Sequence, residues 1–334
     1  MRVPFYLAFA DNADLTLTTN FQEKIGWSES AKLRYILAEN HRGEAEIKIL
    51  KGFDSEGAEA EIRADHISRF VGDATLDILA DYVTDKARYK ELGDTLEERS
   101  TLLKKSYIYF SDSTGYGSLF GLGRWTESFN TPQDETLQQL PSLGLWGKEY
   151  ALWGPFYGLT DAVFDNFTRE VGVKGERLRL SQGFAISRAV GSVGSKAMGG
   201  LKANLYRSGG EEYEETAPWA LAEVSHSSLG YLGAADILLT PSLSWNFQGE
   251  GEDSQAPYFD ANDDFSKKSR ITPKLESLAL LGGRDLIHLS VQKPLDLLSV
   301  TDGEINKNDW LPLKGEVGIW PLERLEIFGD GEHE

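Results

Sequence analysis

The 334-residue chain has no cysteine. Disulfides, thiolate nucleophiles and Cys-ligated zinc are therefore excluded, while the redox compartment is left open. Long apolar runs are also missing, since none approaches the roughly 18 residues that a spanning helix requires. The opening MRVPFYLAFADNAD is interrupted by Pro4 and lacks the apolar h-region of a secretory signal. Membrane strands are not excluded, because each needs only about 9–11 residues. Positive charge is scarce: 34 Lys and Arg stand against 53 Asp and Glu, a net charge of −19. Binding to a phosphate backbone relies on Lys and Arg releasing counterions, so nucleic acid is not an expected partner. The acidic excess is spread along the chain, as for hydrated loops and solubility.

Catalytic motifs are equally sparse. The five histidines, His41, His66, His226, His288 and His333, have no HExxH or related spacing. They read as polar-face residues rather than ligands. No Gly-x-Ser-x-Gly elbow occurs. AVGSVGSKAMGG resembles a phosphate loop, but Ser195 precedes Lys196 where the order should be Lys then Ser or Thr. It reads as a flexible hairpin connection before a strand at Leu201. DANDDF (Asp260 to Phe265) imitates the start of a calcium loop, yet Phe265 stands where glycine is required and Ile271 where a bidentate Glu belongs. No enzyme, cofactor or metal site is expected; a loose cation contact is the most that loop allows.

What is present is alternation with period two, the mark of strands with one apolar and one polar face. Leu33, Tyr35 and Leu37 share a face, as do Ala45, Ile47 and Ile49. Leu76, Ile78, Ala80 and Tyr82 oppose Asp77 and Asp81. Leu201, Ala203 and Leu205 oppose Lys202, Asn204 and Tyr206. Ile237, Leu239, Pro241, Leu243, Trp245 and Phe247 line up, and so do Ile287, Leu289 and Val291. Turn-forming clusters such as KGFDSEG, RSGGEE, FQGEGEDSQ and VTDGEINKND punctuate these segments. Roughly sixteen strand candidates emerge, mostly longer than the usual five or six residues. They predict one large antiparallel meander with no linker dividing it.

Two architectures share that pattern. In a soluble sandwich the apolar face packs on a second sheet, whereas in an outer-membrane β-barrel it faces lipid and the polar face lines a wet lumen. The barrel would account together for frequent charges at the alternate positions, for Trp125, Trp219, Trp245 and Trp320 near segment ends, and for turns that alternate short and long, but the pattern alone leaves both architectures open.

Several segments together resemble the barrel portion of the lipopolysaccharide-assembly protein LptD (OstA/Imp) family. VPFYLAFADNADLTLTTNF is similar to that family's opening strands at Pro4, Asn12, Asp14, Thr16 and Thr18, though Thr19 stands where a proline is common. DYVTDKARYKELGDTLEERST is similar at Asp81, Tyr82, Asp85, Tyr89, Gly93, Ser100 and Thr101; it reads as a rim connection, extended or with one helical turn, and not as an independent helix. LQQLPSLGL resembles a Leu-Pro-Gln-Leu strand start, with Ser142 in place of Gln. NFTREVGVKGERLRL matches at Asn166, Phe167, Arg169, Glu170, Gly172, Gly175, Arg177 and Leu178, and PYFDANDDFS resembles a later acidic segment. The matches follow the family's order over nearly the whole chain.

The resemblance implies a transmembrane antiparallel β-barrel of the outer-membrane type over residues 1–334. It would be the N-terminal part of the family's barrel, without its periplasmic domain and later strands. It implies insertion of lipopolysaccharide into the outer leaflet of the outer membrane through a lateral seam. Seam candidates are Pro4, Phe5, Tyr6, Asn12 and Asp14, with Pro4 lacking an N–H for the ladder and Thr19 tightening the seam. Asp77, Asp81, Lys202 and Asn204 are lumen-facing candidates that hydrate the sugar. Implied partners are the LptE lipoprotein plug, lipopolysaccharide, and the LptA bridge by way of the periplasmic domain. A porin-like or ligand-uptake channel, a soluble all-β binding module and an outer-membrane hydrolase are the alternatives.

Overall fold

The structure, a computed structural model, describes residues 1–23, 26–53, 57–86, 89, 100–251, 255–300, 305, 307–322 and 325–333. Most of the rim connection at 87–99, and parts of three predicted turn clusters (54–56, 252–254 and 301–304), lie outside the described residues. Twenty-one strands follow one another: β1 (Arg2–Ala10), β2 (Ala13–Gln22), β3 (Gly26–Ala38), β4 (His41–Gly52), β5 (Glu59–Arg69), β6 (Thr75–Val83), β7 (Leu103–Ser113), β8 (Gly117–Ser128), β9 (Gln138–Gly147), β10 (Tyr150–Trp153), β11 (Phe156–Thr168), β12 (Gly175–Val190), β13 (Val193–Ser208), β14 (Glu211–His226), β15 (Ser228–Leu232), β16 (Ala235–Gln248), β17 (Lys268–Leu281), β18 (Arg284–Gln292), β19 (Leu295–Asp296), β20 (Leu313–Leu322) and β21 (Leu325–His333). They belong to one 21-stranded sheet. The excess over roughly sixteen comes from pieces such as β10, β15 and β19, which are too short to display alternation.

The strands gather into two units. The first holds residues 1–148, 162–178 and 205–212; the second holds 149–161, 179–204 and 213–334. In the first, β1 to β9 pair consecutively and antiparallel. In the second, β16 pairs with β14, β15 and β17, and the meander continues through β18, β20 and β21.

The longest connections gather at one end of each unit. In the first, the turns at 11–12, 39–40, 70–74 and 114–116 lie at one end, and the other end has 23–25, which is as short, with the longer connections at 53–58, 84–102 and 129–137. In the second, 154–155, 191–192, 233–234 and 282–283 are short and 249–267 is long. Each unit therefore has a short-turn end and a long-connection end, as outer-membrane barrels do. Gly282 and Gly283, at φ 60° and 79°, supply the left-handed pair that a two-residue hairpin needs. The stretch predicted as a flexible connection is different: only Gly191–Ser192 turns, and Val193–Ser208 is a single 16-residue strand. At about 3.3 Å per residue such a strand spans about 50 Å, more than the roughly 30 Å hydrocarbon layer, so part of it extends beyond lipid.

Burial is inverted relative to a soluble protein. Phe5, Ile108, Phe184 and Leu201 are 60, 58, 59 and 62% exposed, whereas Asn204, Arg177, Asp165 and Ser142 are at most 1% exposed. The apolar positions predicted on β4, β16 and β18 share this outward face: Ile47, Ile49, Leu239, Leu243, Leu289 and Val291 are all exposed. Burying polar groups while exposing rows of large apolar ones is unfavourable in water and favourable in hydrocarbon. The fold is thus the all-β, antiparallel, outer-membrane type expected from the sequence.

Candidate functional site

The edge of β1 is defined by its hydrogen bonds to β2. Met1 and Phe21 exchange both backbone bonds, Met1 N to Phe21 O at 2.6 Å and Phe21 N to Met1 O at 2.8 Å. Bonded and non-bonded pairs alternate along an antiparallel ladder, and the register runs unbroken from Arg2↔Asn20 to Ala8↔Asp14. Pro4, opposite Thr18, therefore falls in a non-bonded pair. Its missing N–H lies on the edge of β1 that faces away from β2. Thr19, opposite Val3, falls in a bonded pair, so the N–H that a proline would have removed joins β1 to β2. This corrects the expectation that Thr19 tightens the outer edge.

The other seam candidates divide. Phe5, opposite the exposed Leu17, points outward, while Tyr6 shares the inner face with Thr16. Asn12 and Asp14 bind β3: Asn12 Nδ2 donates to Ile36 O at 2.9 Å, and Asp14 pairs with Arg34 at 2.9 Å. They fix the β1–β2 turn and leave the outer edge to Pro4 and its neighbours. Behind β1 and β2 lies a polar cavity of about 170 Å³, lined by Arg2, Thr18, Ser28, Ser30, Lys48 and Glu61 among others.

At the long-connection end of the first unit the inner face is packed with charge. The Lys104 ammonium, 2% exposed, donates to Asp81 Oδ1 at 2.5 Å and Glu61 Oε1 at 3.2 Å, and lies 4.2 Å from the Tyr89 ring centre. Tyr89, at the start of the rim connection, donates its N–H to Asp85 O at 3.1 Å and packs on Phe129. Asp77 accepts from Tyr107 Oη at 3.2 Å. The inward placing of Asp77 and Asp81 thus matches the alternation, and their partners come from β7.

A second network was not visible in the sequence. Arg177 on β12 donates through Nη2 (2.6 Å) and Nε (3.2 Å) to Asp165 Oδ2 on β11. Asp165 Oδ1 accepts from Gln139 Nε2 at 2.6 Å and Ser142 Oγ at 2.7 Å, both on β9. The guanidinium also lies 4.9 Å from the Phe167 ring. Every lone-pair direction of the carboxylate that the pair needs is occupied, which is the condition under which a buried ion pair is tolerated. The family-like segments contain Ser142, Phe167 and Arg177, so the resemblance marked the segments without revealing their contact.

In the second unit Lys202 and Asn204 both lie on the inner face. Asn204 Nδ2 donates to Asn262 O (3.2 Å) and Asp263 Oδ1 (3.3 Å), drawing the 249–267 connection onto β13. DANDDF is thereby accounted for. Asp260 caps a 3-10 turn, and Asp263 Oδ2 accepts from the N–H groups of Phe259 and Asp260. Asp264 pairs with Lys268 at 2.5 Å. Hydrogen bonds from Lys268 and Ser266 hold the Asp264 carboxyl well below the usual carboxylate range. These carboxylates serve capping and ion pairing, and among the described residues no cluster of three metal-ligating groups occurs.

Two aromatic and histidine expectations change. Trp219, opposite Gln248, faces inward and lies over Gly183 instead of joining an outer girdle. His66, opposite Ile78, lies on the outward face. Tyr35 Oη and His66 Nδ1 share a hydrogen bond of 2.8 Å, and Ser68 Oγ bridges His66 Nε2 (2.7 Å) and His41 Nδ1 (2.8 Å). This satisfied chain sits beside the short turns, where amphipathic rings suit the membrane–water boundary.

No family model matches the chain, and no curated protein matches it. Among solved structures it is similar to an anion-selective porin from Comamonas acidovorans, with 8% identity, a TM-score of 0.32, and coverage of 85% of this chain and 82% of that one. It is also similar to OmpT, an outer membrane protein of Vibrio cholerae, in its trimer form, with 8% identity, a TM-score of 0.30, and coverage of 99% and 98%. A second structure of that protein gives 5% identity, a TM-score of 0.31, and coverage of 89% and 84%. At these values the likenesses carry no argument about function.

Proposed function

We propose that the chain is an outer-membrane protein that delivers lipopolysaccharide to the outer leaflet through a lateral opening at β1. The observation that carries this reading is the position of Pro4. A strand that closes a membrane sheet normally offers every N–H to its neighbour, because unpaired backbone groups cost several kcal/mol in lipid. Here one donor is removed from the outward edge of β1, weakening whatever pairs there by one bond of about 1 kcal/mol. Phe5 presents an apolar surface to acyl chains, while Tyr6 and the polar cavity behind β1 suit a sugar chain. LptE as the plug and LptA as the periplasmic partner accompany this reading through the family resemblance. The long connections face the cell exterior.

A photoreactive phenylalanine analogue at Phe5, with a control at Ile108, tests it in intact outer membranes. Lipopolysaccharide adducts at position 5 and none at 108 are expected. Pro4→Ala, which returns the donor, should slow delivery about fivefold, the equivalent of that one bond. Folded protein without adducts at position 5, conducting ions steadily in a bilayer, would instead favour a passive channel.

A further inference from the structure

The inner wall of the second unit carries two neighbouring cations that make no direct ion pair among the described residues. They are Arg179 on β12 and Lys202 on β13, and Lys268 beside them pairs with Asp264. Lys202 lies in the fields of Lys268 and Arg179, with Asp161 opposing them.

The register around these residues is set by glycine. A Cβ on Gly200 would lie 2.6 Å from the Gly183 Cα, so the two face each other across β12 and β13. Antiparallel alternation then puts Lys202 opposite Ser181 and Asn204 opposite Arg179. Arg179 and Lys202 are diagonal neighbours, a relation of about 7–8 Å between backbones. Neighbouring like charges on one face repel unless an anion lies between them.

Next to them lies an aromatic plate. The six-membered ring of Trp219 covers the glycine floor, its carbons 2.7 and 3.2 Å from the point where a Cβ of residue 183 would stand. Its Nε1 is buried and has no acceptor among the described residues. A ligand or water oxygen would fill that place.

We infer that Arg179, Lys202 and Trp219 form a binding site for an anionic sugar. The two cations hold its phosphate or carboxylate, and the apolar face of the ring lies on the indole. A chain of net charge −19 has few places that attract an anion, and this one is on the inner wall. The site needs an inward-facing wall and not an opening at β1, so adducts at position 5 can fail while this binding persists.

Calorimetry on folded protein in detergent micelles, with glucosamine 6-phosphate, glucosamine, inorganic phosphate and AMP as probes, tests the site. Glucosamine 6-phosphate should bind at least tenfold tighter than the other three. Lys202→Gln and Arg179→Gln should each weaken it at least tenfold. Trp219→Leu should abolish the advantage over phosphate; if that variant does not fold, quenching of tryptophan emission by the sugar phosphate in the unaltered protein replaces it. Equal affinity for phosphate or AMP, or indifference to Lys202→Gln, would overturn the assignment. A phosphorylated oligosaccharide, offered free and as the headgroup of its parent glycolipid in mixed micelles, separates the two sources. Equal affinity supports a sugar site, and binding of the glycolipid alone contradicts it.

Discussion

Replacing Arg177 by methionine is the sharpest test of the packed inner face. Arg177 and Asp165 side chains are 1% and 2% exposed, so neither charge is solvated by bulk water. Methionine fills much of the space of the arginine stem but leaves the Asp165 carboxylate with only its Gln139 and Ser142 donors. Breaking a buried pair by removing one partner costs about 3–5 kcal/mol. The two remaining donors hold the loss near the lower bound, about 3 kcal/mol. Adding Asp165→Asn should recover part of that, since a neutral amide still accepts from Gln139 and Ser142 and no charge is stranded. Urea unfolding of protein in lipid vesicles, followed by emission of its 8 tryptophans, measures both variants. The reasoning fails if Arg177→Met costs less than about 1 kcal/mol. It fails equally if the double variant loses as much as the two single variants summed, because coupling of a contacting pair would then be absent.

Two further outcomes follow from the same structure. Ile47→Arg, on the outward face midway along β4, should destabilise the protein in vesicles by about 2–4 kcal/mol, and a loss below about 1 kcal/mol would contradict a lipid-facing position. The Asp264–Lys268 pair contributes in full above the ordinary carboxylate pKa of about 4, because its folded-state pKa is depressed, and its contribution is lost progressively as pH falls from there through the lower folded-state value. Both partners are more than a third exposed, so the effect is small. Protection of the 249–267 connection from protease should therefore be constant between pH 5 and 8, and a change within that window would contradict the assignment.

The outward rows were readable because period two needs only neighbours in sequence: Leu239, Leu243 and Trp245 announce their shared face without knowledge of any partner strand. Contacts across the sheet were not readable in that way. Arg177 meets Asp165 across one hairpin, but Gln139 and Ser142 arrive from another strand, and no local pattern specifies that meeting. Trp219 was assigned to a girdle because tryptophans near strand ends usually belong there. Its actual place depends on the absence of a side chain at Gly183, on a different strand. For the same reason the glycines of GSVGSKAMGG looked like a flexible connection, whereas Gly200 is small because Gly183 approaches it. His66 was expected inside since imidazole is polar; its bonds to Tyr35 and Ser68 make the outer face tolerable.

Whether lipid lies against the apolar rows can be measured directly, since a chain without cysteine accepts single spin labels anywhere. Labels at residues 45 to 49 of β4, read in vesicles for collision with oxygen and with a water-soluble nickel complex, report lipid and water in turn. Oxygen contact should peak at Ala45, Ile47 and Ile49, and nickel contact at Glu46 and Lys48. The opposite phase, or shielding of Ala45, Ile47 and Ile49 from both probes, would mean that this face packs against protein, and the membrane account would be wrong.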